Sequence, residues 1–338
     1  MKNLAATIKD IAKQTGLGLA TISKYLNGGN VLEANKIAIE KAIDELDFHV
    51  NEFARGLKTN KSKTIGVVIP ELNNIFCTSI ITCIEDILRQ NGYGILVCDC
   101  RTDAKLEYEA TEFLINKMVD GIINMPVSSD GSHLQLPLAK NLPVVLIDRK
   151  IESLPVDAVV VDNVEASQKA IDHLLERGHR EIGIICGPKE VFTSGERLLG
   201  YNQAFIKRGI LPKPQLISYG DYTVEGGHAA LKELLEKAPE LSAVFVTNYE
   251  MTLGAIIAIN ELGIKMPEQI SLIGFDNLHL AQVIKPKLTI ISQPITGIAQ
   301  SAAHMMLKRL SGQGATHGET INLPTELLLG ESVLAKNI

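Results

Sequence analysis

The sequence has no long apolar stretch and no apolar N-terminal segment of the kind that directs secretion. No run of roughly 18 apolar residues occurs, so we expect no membrane-spanning helix and no membrane partner. Charged side chains at Lys2, Lys9 and Lys13 interrupt the N-terminal region, which argues against a signal peptide. We therefore expect a cytoplasmic protein.

Signatures of enzymes and metal sites are also missing. No strand-like segment is followed by G-x-G-x-x-G, and neither a serine nucleophile elbow nor H-E-x-x-H is present. The 8 histidines and 5 cysteines form no ligand-spaced cluster and no C-x-x-C pair. We predict a protein that is not an enzyme, has no cofactor or metal, and keeps its cysteines as reduced, mostly buried thiols.

The charge is distributed unevenly along the 338 residues. The net charge of −6 argues against a nucleic-acid-binding protein, but residues 1–63 carry ten Lys/Arg and seven Asp/Glu, a net of +3. The remainder is therefore at −9. This distribution predicts a small basic module that binds phosphates and a larger acidic body that does not.

Two short helical patterns joined by a glycine begin the chain. Ile8, Ile11 and Ala12 follow the i, i+3, i+4 spacing of one helix, Gly16 breaks it, and Ile22 begins the apolar face of a second helix. This arrangement indicates a helix-turn-helix with its second helix in the DNA major groove; a helical hairpin within a core is the alternative. The side chains expected to reach bases and phosphates are Leu19, Ala20, Thr21, Ser23 and Lys24.

The segment TIKDIAKQTGLGLATISKYLNG resembles the N-terminal segment of the lactose repressor/galactose repressor (LacI-type) family of bacterial transcription regulators. The family pattern falls on Thr7, Asp10, Ile11, Ala12, Gly16, Thr21, Ser23, Lys24 and Asn27, and with Lys9 this implies further DNA contacts from Thr7 and Asn27. Gly18 replaces the usual serine, and Lys24 replaces the commoner arginine. Both departures should lower DNA affinity without changing how the helix docks.

The DNA-binding module is predicted to span 1–50, with a third helix over 33–47 covering the first two. Residues 51–62 follow as a hinge or linker, because two helical turns are too short to be stable alone in water. The resemblance implies a hinge helix that folds on DNA and inserts Leu57 into the minor groove, with Asn51, Ala54 and Arg55 around it. A plain flexible linker is the alternative.

From Thr64 onward, apolar β-branched runs alternate with amphipathic helical stretches, and the pattern restarts near residue 181. Continuous apolar runs indicate parallel strands covered on both faces. We predict an α/β protein whose body, 63–338, has two doubly wound parallel-sheet subdomains and resembles a periplasmic binding protein. The first subdomain is placed at about 63–162 and 293–320, and the second at 163–292 and 321–338. Residues 321–333 resemble the closing strand of the family.

Polar side chains follow several predicted strands, where open α/β sheets bind ligands. Carboxylates, amides and an arginine suit a hydroxyl-rich small molecule, although each such residue alone is commonly a turn or cap residue. The predicted effector contacts are Asn73, Phe76, Asp148, Arg197, Asn248, Tyr249, Asp276 and Gln293. In the family pattern an aspartate stands at the position of Tyr249, and N-N-I-F-C replaces S-N-P-F-F at 73–77, which predicts an unusual effector.

The resemblance implies a regulator, expected to be a repressor of carbohydrate-utilisation genes. Its expected partners are palindromic operator DNA, a sugar-like effector and a second copy of the chain in a homodimer, since no coiled-coil tail follows Val333. One alternative is a catabolite-control regulator whose co-repressor is a phosphorylated phosphocarrier protein, which Leu19, Ala20 and Thr21 favour. A sugar-binding receptor of transport is another.

Overall fold

The computed structural model describes residues 6–49, 61–276, 278–313 and 317–336, and of Leu278 only its place in a helix. The chain separates into two compact units that divide between Ser62 and Lys63.

The first unit contains three helices within its described residues: α1 (Ile8–Thr15), α2 (Leu19–Leu26) and α3 (Glu33–Glu45). Thr7 begins α1 with a capping box, because its backbone amide and hydroxyl both donate to Asp10 Oδ2, at 2.8 and 2.7 Å. Gly16 ends α1 with φ of 71°, a conformation that glycine adopts without strain. The helices share one small core of buried side chains, formed by Ile11, Ile22, Ile39, Ala42 and Phe48.

In the second unit, strands and helices alternate, as the sequence predicts. The strands are β1 (Thr64–Ile69), β2 (Gly94–Asp99), β3 (Gly121–Asn124), β4 (Val144–Ile147), β5 (Asp157–Val161), β6 (Ile182–Cys186), β7 (Ile217–Tyr219), β8 (Ala243–Val246), β9 (Ser271–Phe275), β10 (Thr289–Ser292), β11 (Thr320–Leu323) and β12 (Glu326–Leu328). The helices are α4 (Ile75–Gln90), α5 (Ala104–Asn116), α6 (Gln135–Ala139), α7 (Asn163–Glu176), α8 (Phe192–Lys207), α9 (Val224–Lys237), α10 (Tyr249–Glu261), α11 (Leu278–Val283) and α12 (Ile295–Leu310), with short 3-10 turns at Ser132–Leu134 and Pro214–Leu216.

The strands form two sheets of the same design. The first has the order β11-β5-β4-β3-β1-β2 and the second β12-β10-β9-β8-β6-β7. Most central strands, such as β4, β6 and β9, are buried along their whole length, which explains their uninterrupted apolar sequences. We call the part of the unit built on each sheet the first lobe and the second lobe.

The C-terminal strands differ in detail from the prediction. Residues 321–333 do not form one closing strand, because β11 pairs parallel with β5 in the first sheet and β12 pairs antiparallel with β10 in the second. The predicted subdomain boundary at 320/321 therefore falls inside β11. The split follows from Pro324, which has no backbone N–H to continue a strand ladder.

The chain passes between the lobes in three places: after β5, after β10 and after β11. In each sheet the order reverses beside its first strand in the chain, β1 in one and β6 in the other. Such a reversal opens a crevice at the carboxyl ends of the strands, which is where open α/β sheets bind ligands.

Candidate functional site

A cleft of about 730 Å³ lies at the carboxyl ends of the strands of both sheets. Its described lining residues come from both lobes and are Pro70, Glu71, Asn74, Phe76, Cys77, Thr102, Met125, Asp148, Arg149, Val191, Thr193, Arg197, Asp221, Tyr222, Asn248, Tyr249, Glu250, Asp276 and Gln293. Because both lobes contribute to the lining, any ligand bound in the cleft would contact both lobes.

Arg197 is the buried cation of the second lobe. It lies in α8, only 4% exposed, and its Nε donates to Asn163 Oδ1 at 2.8 Å. Another guanidinium nitrogen donates to the Thr247 carbonyl, and the group lies 3.9 Å from the centre of the Phe275 ring. The protein therefore holds the guanidinium in one orientation at the cleft.

Two aspartates follow corresponding strands of the two lobes. Asp148 comes directly after β4 and its Oδ2 lies 3.3 Å from Arg149 Nε. Asp276 comes directly after β9 and accepts a hydrogen bond from Gln293 Nε2 at 2.8 Å. Burial raises the pKa of Asp276 to about 6, against the opposing effects of Arg197 and Gln293.

Glu250 joins the two lobes across the cleft. Its Oε1 accepts from Asn74 Nδ2 of the first lobe at 2.9 Å, and its Oε2 accepts from Asn248 Nδ2 at 2.7 Å. Burial, followed by repulsion from Asp276 and Glu71, raises the pKa of Glu250 to about 7. This carboxylate is therefore a direct link between the lobes.

The structure brings most of the predicted effector residues together. Those that line the cleft are Phe76, Asp148, Arg197, Asn248, Tyr249, Asp276 and Gln293. Asn73 does not: it is exposed, and its neighbour Asn74 lies in the cleft instead. Asn74 is oriented inward because its Oδ1 caps α4 by accepting from Cys77 N at 3.0 Å. Within the N-N-I-F-C segment that departs from the family pattern, Cys77 lines the cleft, whereas Ile75 is 48% exposed and does not.

Several lining residues have no counterpart in the sequence prediction, above all Glu250, Asp221 and Tyr222. The sequence contains an indication of Glu250, because this residue stands in the first turn of a helix that is capped by Asn248, itself a predicted cleft residue. Asp221 and Tyr222 lie in the loop between β7 and α9 and reach the cleft from there. Asp221 shortly follows a strand, which is the same local signal that identifies Asp148 and Asp276.

The second helix of the first unit presents the predicted recognition residues. Leu19, Ala20 and Lys24 are exposed, and Thr21 and Ser23 are half-buried beside the buried Ile22. Gly18 is the N-cap of α2 and supplies no capping hydroxyl, as the sequence indicates.

Three further predicted DNA contacts also lie at the surface of this unit. Lys9, Thr7 and Asn27 are exposed. Thr7 has a structural role as well, through its capping box, and Asn27 Nδ2 donates to the Ser23 carbonyl at 2.6 Å at the end of α2. The predicted hinge contacts Asn51, Ala54, Arg55 and Leu57 lie outside the described residues.

Most of the cysteine thiols lie inside the protein. All five cysteines are free; Cys77, Cys100 and Cys186 are buried, and Cys83 and Cys98 are half-buried. Across the described ranges no group of three or more His, Cys, Asp or Glu side chains is placed to hold a metal ion. In the same ranges no helix is long and apolar enough to cross a membrane.

Comparison with known proteins identifies both units. Residues 7–51 match the model of the bacterial regulatory proteins of the lacI family, and residues 62–330 match that of the periplasmic binding proteins and sugar binding domain of the LacI family. The HTH-type transcriptional repressor CytR of Escherichia coli (strain K12) is 35% identical over 98% of this chain and 97% of its own length. Catabolite control protein A of Priestia megaterium is 30% identical over 96% of this chain and 98% of its own.

Solved structures agree with these relatives. The Lac repressor dimer bound to operator and the anti-inducer ONPF superposes with a TM-score of 0.88 and 25% identity, over 98% of this chain and 100% of that one. Residues 7–51 match a family of bacterial regulatory proteins and the relatives include transcriptional repressors, so this chain is a helix-turn-helix transcriptional regulator and not an enzyme. On the match of both units and of nearly its whole length, the chain belongs to the LacI family of bacterial regulatory proteins.

Proposed function

We propose that two copies of this chain form a homodimer on a palindromic operator and repress carbohydrate-utilisation genes under the control of a sugar-like small molecule bound in the cleft. The observation that carries the proposal is that both lobes line the cleft and that a hydrogen bond from Asn74 to Glu250 crosses it. A ligand there replaces or reinforces contacts between lobes, so its binding energy differs between their arrangements.

The three chain passages between the lobes supply the hinge for such a rearrangement. We propose residues 1–50 as the DNA-binding domain, 51–62 as the hinge helix or linker, and 63–338 as the effector-binding and dimerisation body. A ligand that prefers one arrangement of the lobes by ~3 kcal/mol changes operator affinity by ~100-fold.

The DNA contacts are proposed by their chemistry. Lys24 is exposed on α2, and a contact from it to a base is worth ~1–3 kcal/mol of discrimination at one base pair. Thr7, Lys9, Leu19, Ala20, Thr21, Ser23 and Asn27 are assigned to bases and phosphates. Asn51, Ala54 and Arg55 are assigned to the hinge, and Leu57 is proposed to insert between base pairs of the minor groove.

Selection of binding sites from a random DNA pool with the full chain tests the proposal. The recovered sequences should be palindromic, and the cleft variant Asp276→Asn should recover the same ones. Leu57→Ala should weaken binding to the selected site and leave binding to unrelated DNA nearly intact. Recovery of single, non-palindromic half-sites, or equal loss on both DNAs, would contradict the dimeric arrangement or the role of Leu57, respectively.

A second candidate is a regulator whose co-repressor is a phosphorylated phosphocarrier protein. It is favoured by the 30% identity with Catabolite control protein A and by the exposed Leu19 and Ala20 on α2. Titration of operator binding with sugars and, separately, with the phosphorylated phosphocarrier distinguishes the two. A response to the phosphocarrier alone would favour this second candidate. A receptor of transport is not proposed, because residues 7–51 match a DNA-binding family.

A further inference from the structure

The cleft carries far more negative than positive groups. Among its described lining residues the carboxylates are Glu71, Asp148, Asp221, Glu250 and Asp276, and the cations are Arg149 and Arg197. A phosphate or carboxylate on a ligand would therefore meet repulsion from most directions unless an arginine were available to bind it.

Both arginines are already engaged. Arg149 Nη1 donates to the Pro126 carbonyl at 3.0 Å, and its Nε lies 3.3 Å from Asp148 Oδ2 without a hydrogen-bond partner among the described residues. Arg197 is held by Asn163, by the Thr247 carbonyl and by the ring of Phe275. The Asp148 carboxylate lies beside the charge of Arg149, and the protein already holds two nitrogens of Arg197, so neither guanidinium offers its whole fork to a ligand anion.

The helix starts beside the cleft are mostly occupied as well. The Asn74 side chain caps α4 through Cys77 N, and the Asn248 side chain caps α10 through Met251 N at 3.0 Å. Glu250 also places a carboxylate in the first turn of α10. The N-terminus of α8 has no side-chain cap, so it is where an anionic ligand would bind if the charge argument were wrong.

A buried acceptor in the cleft needs a donor. Gln293 is only 6% exposed, and its Oε1 accepts no hydrogen bond from the described residues. The amide orientation is fixed by its neighbour, because a flipped Gln293 would place Oε1 against the Asp276 carboxylate, which now accepts from Nε2 at 2.8 Å. A ligand N–H or O–H reaching this oxygen would satisfy it.

Asp276 and Glu250 line the same cleft as further acceptors, although Asp276 already accepts from Gln293 and Glu250 from Asn74 and Asn248. Burial raises the pKa of Asp276 to about 6 and that of Glu250 to about 7, so the hydrogen bonds they accept offset only part of the hydration lost on burial. Donors on a ligand would favour the ionised forms, whereas a ligand anion would oppose them.

Resting on the proposed function, we infer that the cleft selects an uncharged or cationic ligand that donates hydrogen bonds to Gln293 Oε1, Asp276 and Glu250, and that it rejects the phosphorylated relatives of that ligand. The aromatic side chains of Phe76, Tyr222 and Tyr249 line the same cleft and can pack against the apolar face of a ring.

Binding of matched compounds to the full chain tests the inference. The panel pairs glucose and glucosamine with glucose 6-phosphate, ribose with ribose 5-phosphate, and each common ribonucleoside with its 5′-monophosphate, by calorimetry at constant ionic strength. We expect at least one uncharged or cationic member to bind, and its phosphorylated partner to bind at least ~10-fold more weakly. A phosphorylated member that binds as tightly as its parent overturns the inference.

Three variants locate the effect. Gln293→Met should weaken binding of the panel compound that binds the wild type by ~10-fold, because it removes about one hydrogen bond to the ligand. Asp276→Asn keeps the shape of the side chain. It should reduce the ratio of the dissociation constants of the phosphorylated compound and its unphosphorylated parent at least threefold. Asp172→Asn is the matched control, because Asp172 pairs with Arg208 on the surface and does not line the cleft. Circular dichroism establishes that each variant is folded before binding is compared.

The outcomes separate the two proposals. The inference is overturned if this ratio of dissociation constants is unchanged in Asp276→Asn, or if it changes equally in Asp172→Asn. A panel in which no member binds while the chain still selects a palindromic operator also overturns it. Failure of the chain to select DNA would instead contradict the proposed function.

Discussion

The two lobes place an aspartate at the same point of the same fold. Asp148 follows the fourth strand of the first sheet and Asp276 the fourth strand of the second, with φ angles of 66° and 60°. Each aspartate donates its backbone N–H to the adjacent strand, to Val159 O at 2.9 Å and to Ile291 O at 2.7 Å. The repeat in the fold therefore reproduces the backbone down to single hydrogen bonds.

The side chains around these aspartates do not repeat. Asp148 has a cation beside it in Arg149, the next residue of the chain. Asp276 depends on residues brought from elsewhere in the second lobe, Gln293 and Arg197, and burial still raises its pKa to about 6. The backbone decides where each carboxylate lies, and the neighbours decide how readily it ionises.

Removing the arginine of each lobe should expose this difference most strongly. Arg197→Ala leaves Asn163 Oδ1 and the Thr247 carbonyl without their donor and removes a buried positive charge near Asp276. Breaking such a buried network typically costs about 3–5 kcal/mol. We expect a loss of that order in the free energy of unfolding in urea, together with loss of the effector response.

Arg149→Ala is the matched change in the first lobe. The Arg149 side chain is 12% exposed and contacts only Asp148 and the Pro126 carbonyl among the partners described above, so we expect roughly half the cost. If the two variants lose the same stability, the second lobe does not depend on its arginine more than the first.

The sequence predicts much of this arrangement because strand ends can be recognised locally. Asp148, Asn248 and Asp276 each follow an apolar β-branched run, and the topology then brings those ends to one cleft. The choice between Asn73 and Asn74 cannot be read in this way, because it depends on which amide caps α4. The separation of β11 from β12 depends on pairing partners far apart in the chain, so the local pattern there reads as a single strand.

A second prediction concerns pH and the two aspartates. The ordinary pKa of Asp276 is 3.8, and in the folded protein it rises to about 6. As the pH rises, the Asp276 carboxyl therefore ionises in the unfolded chain before it ionises in the folded protein. Its contribution lowers the free energy of unfolding progressively between about pH 4 and about pH 6. Asp276→Asn removes that cost, so the stability of the variant relative to the wild type should increase through this range and be constant above it, as measured by urea unfolding at a series of pH values.

The equivalent change, Asp148→Asn, should lower stability above pH 6, because it leaves the half-buried Arg149 without its carboxylate. Opposite signs for the two substitutions at neutral pH would support the difference between the lobes. The same sign for both would mean that the shared backbone position, and not the neighbours, sets the energetics.

The weakest expected effect is on the link between the lobes. Glu250 has a pKa of about 7 while Asn74 and Asn248 hold it in the closed cleft, against an ordinary value of 4.5. If opening returns the carboxylate to water, ionisation favours the open arrangement, so opening should become easier as the pH rises from about 5 to about 7. Amide hydrogen exchange at the first turns of α4 and α10, corrected for intrinsic rates, should then increase a few-fold over this range.

Glu250→Gln should abolish this pH dependence, because glutamine keeps an acceptor for Asn74 but does not titrate. Asn74→Ala should increase exchange at every pH, since it removes the bond between the lobes. Asn73→Ala is the matched control, because Asn73 is exposed and does not line the cleft. If amide exchange in Glu250→Gln has the same pH dependence as in the wild type, the response belongs to the other cleft carboxylates, Glu71, Asp148, Asp221 and Asp276. The difference between the lobes would then not control how the cleft opens.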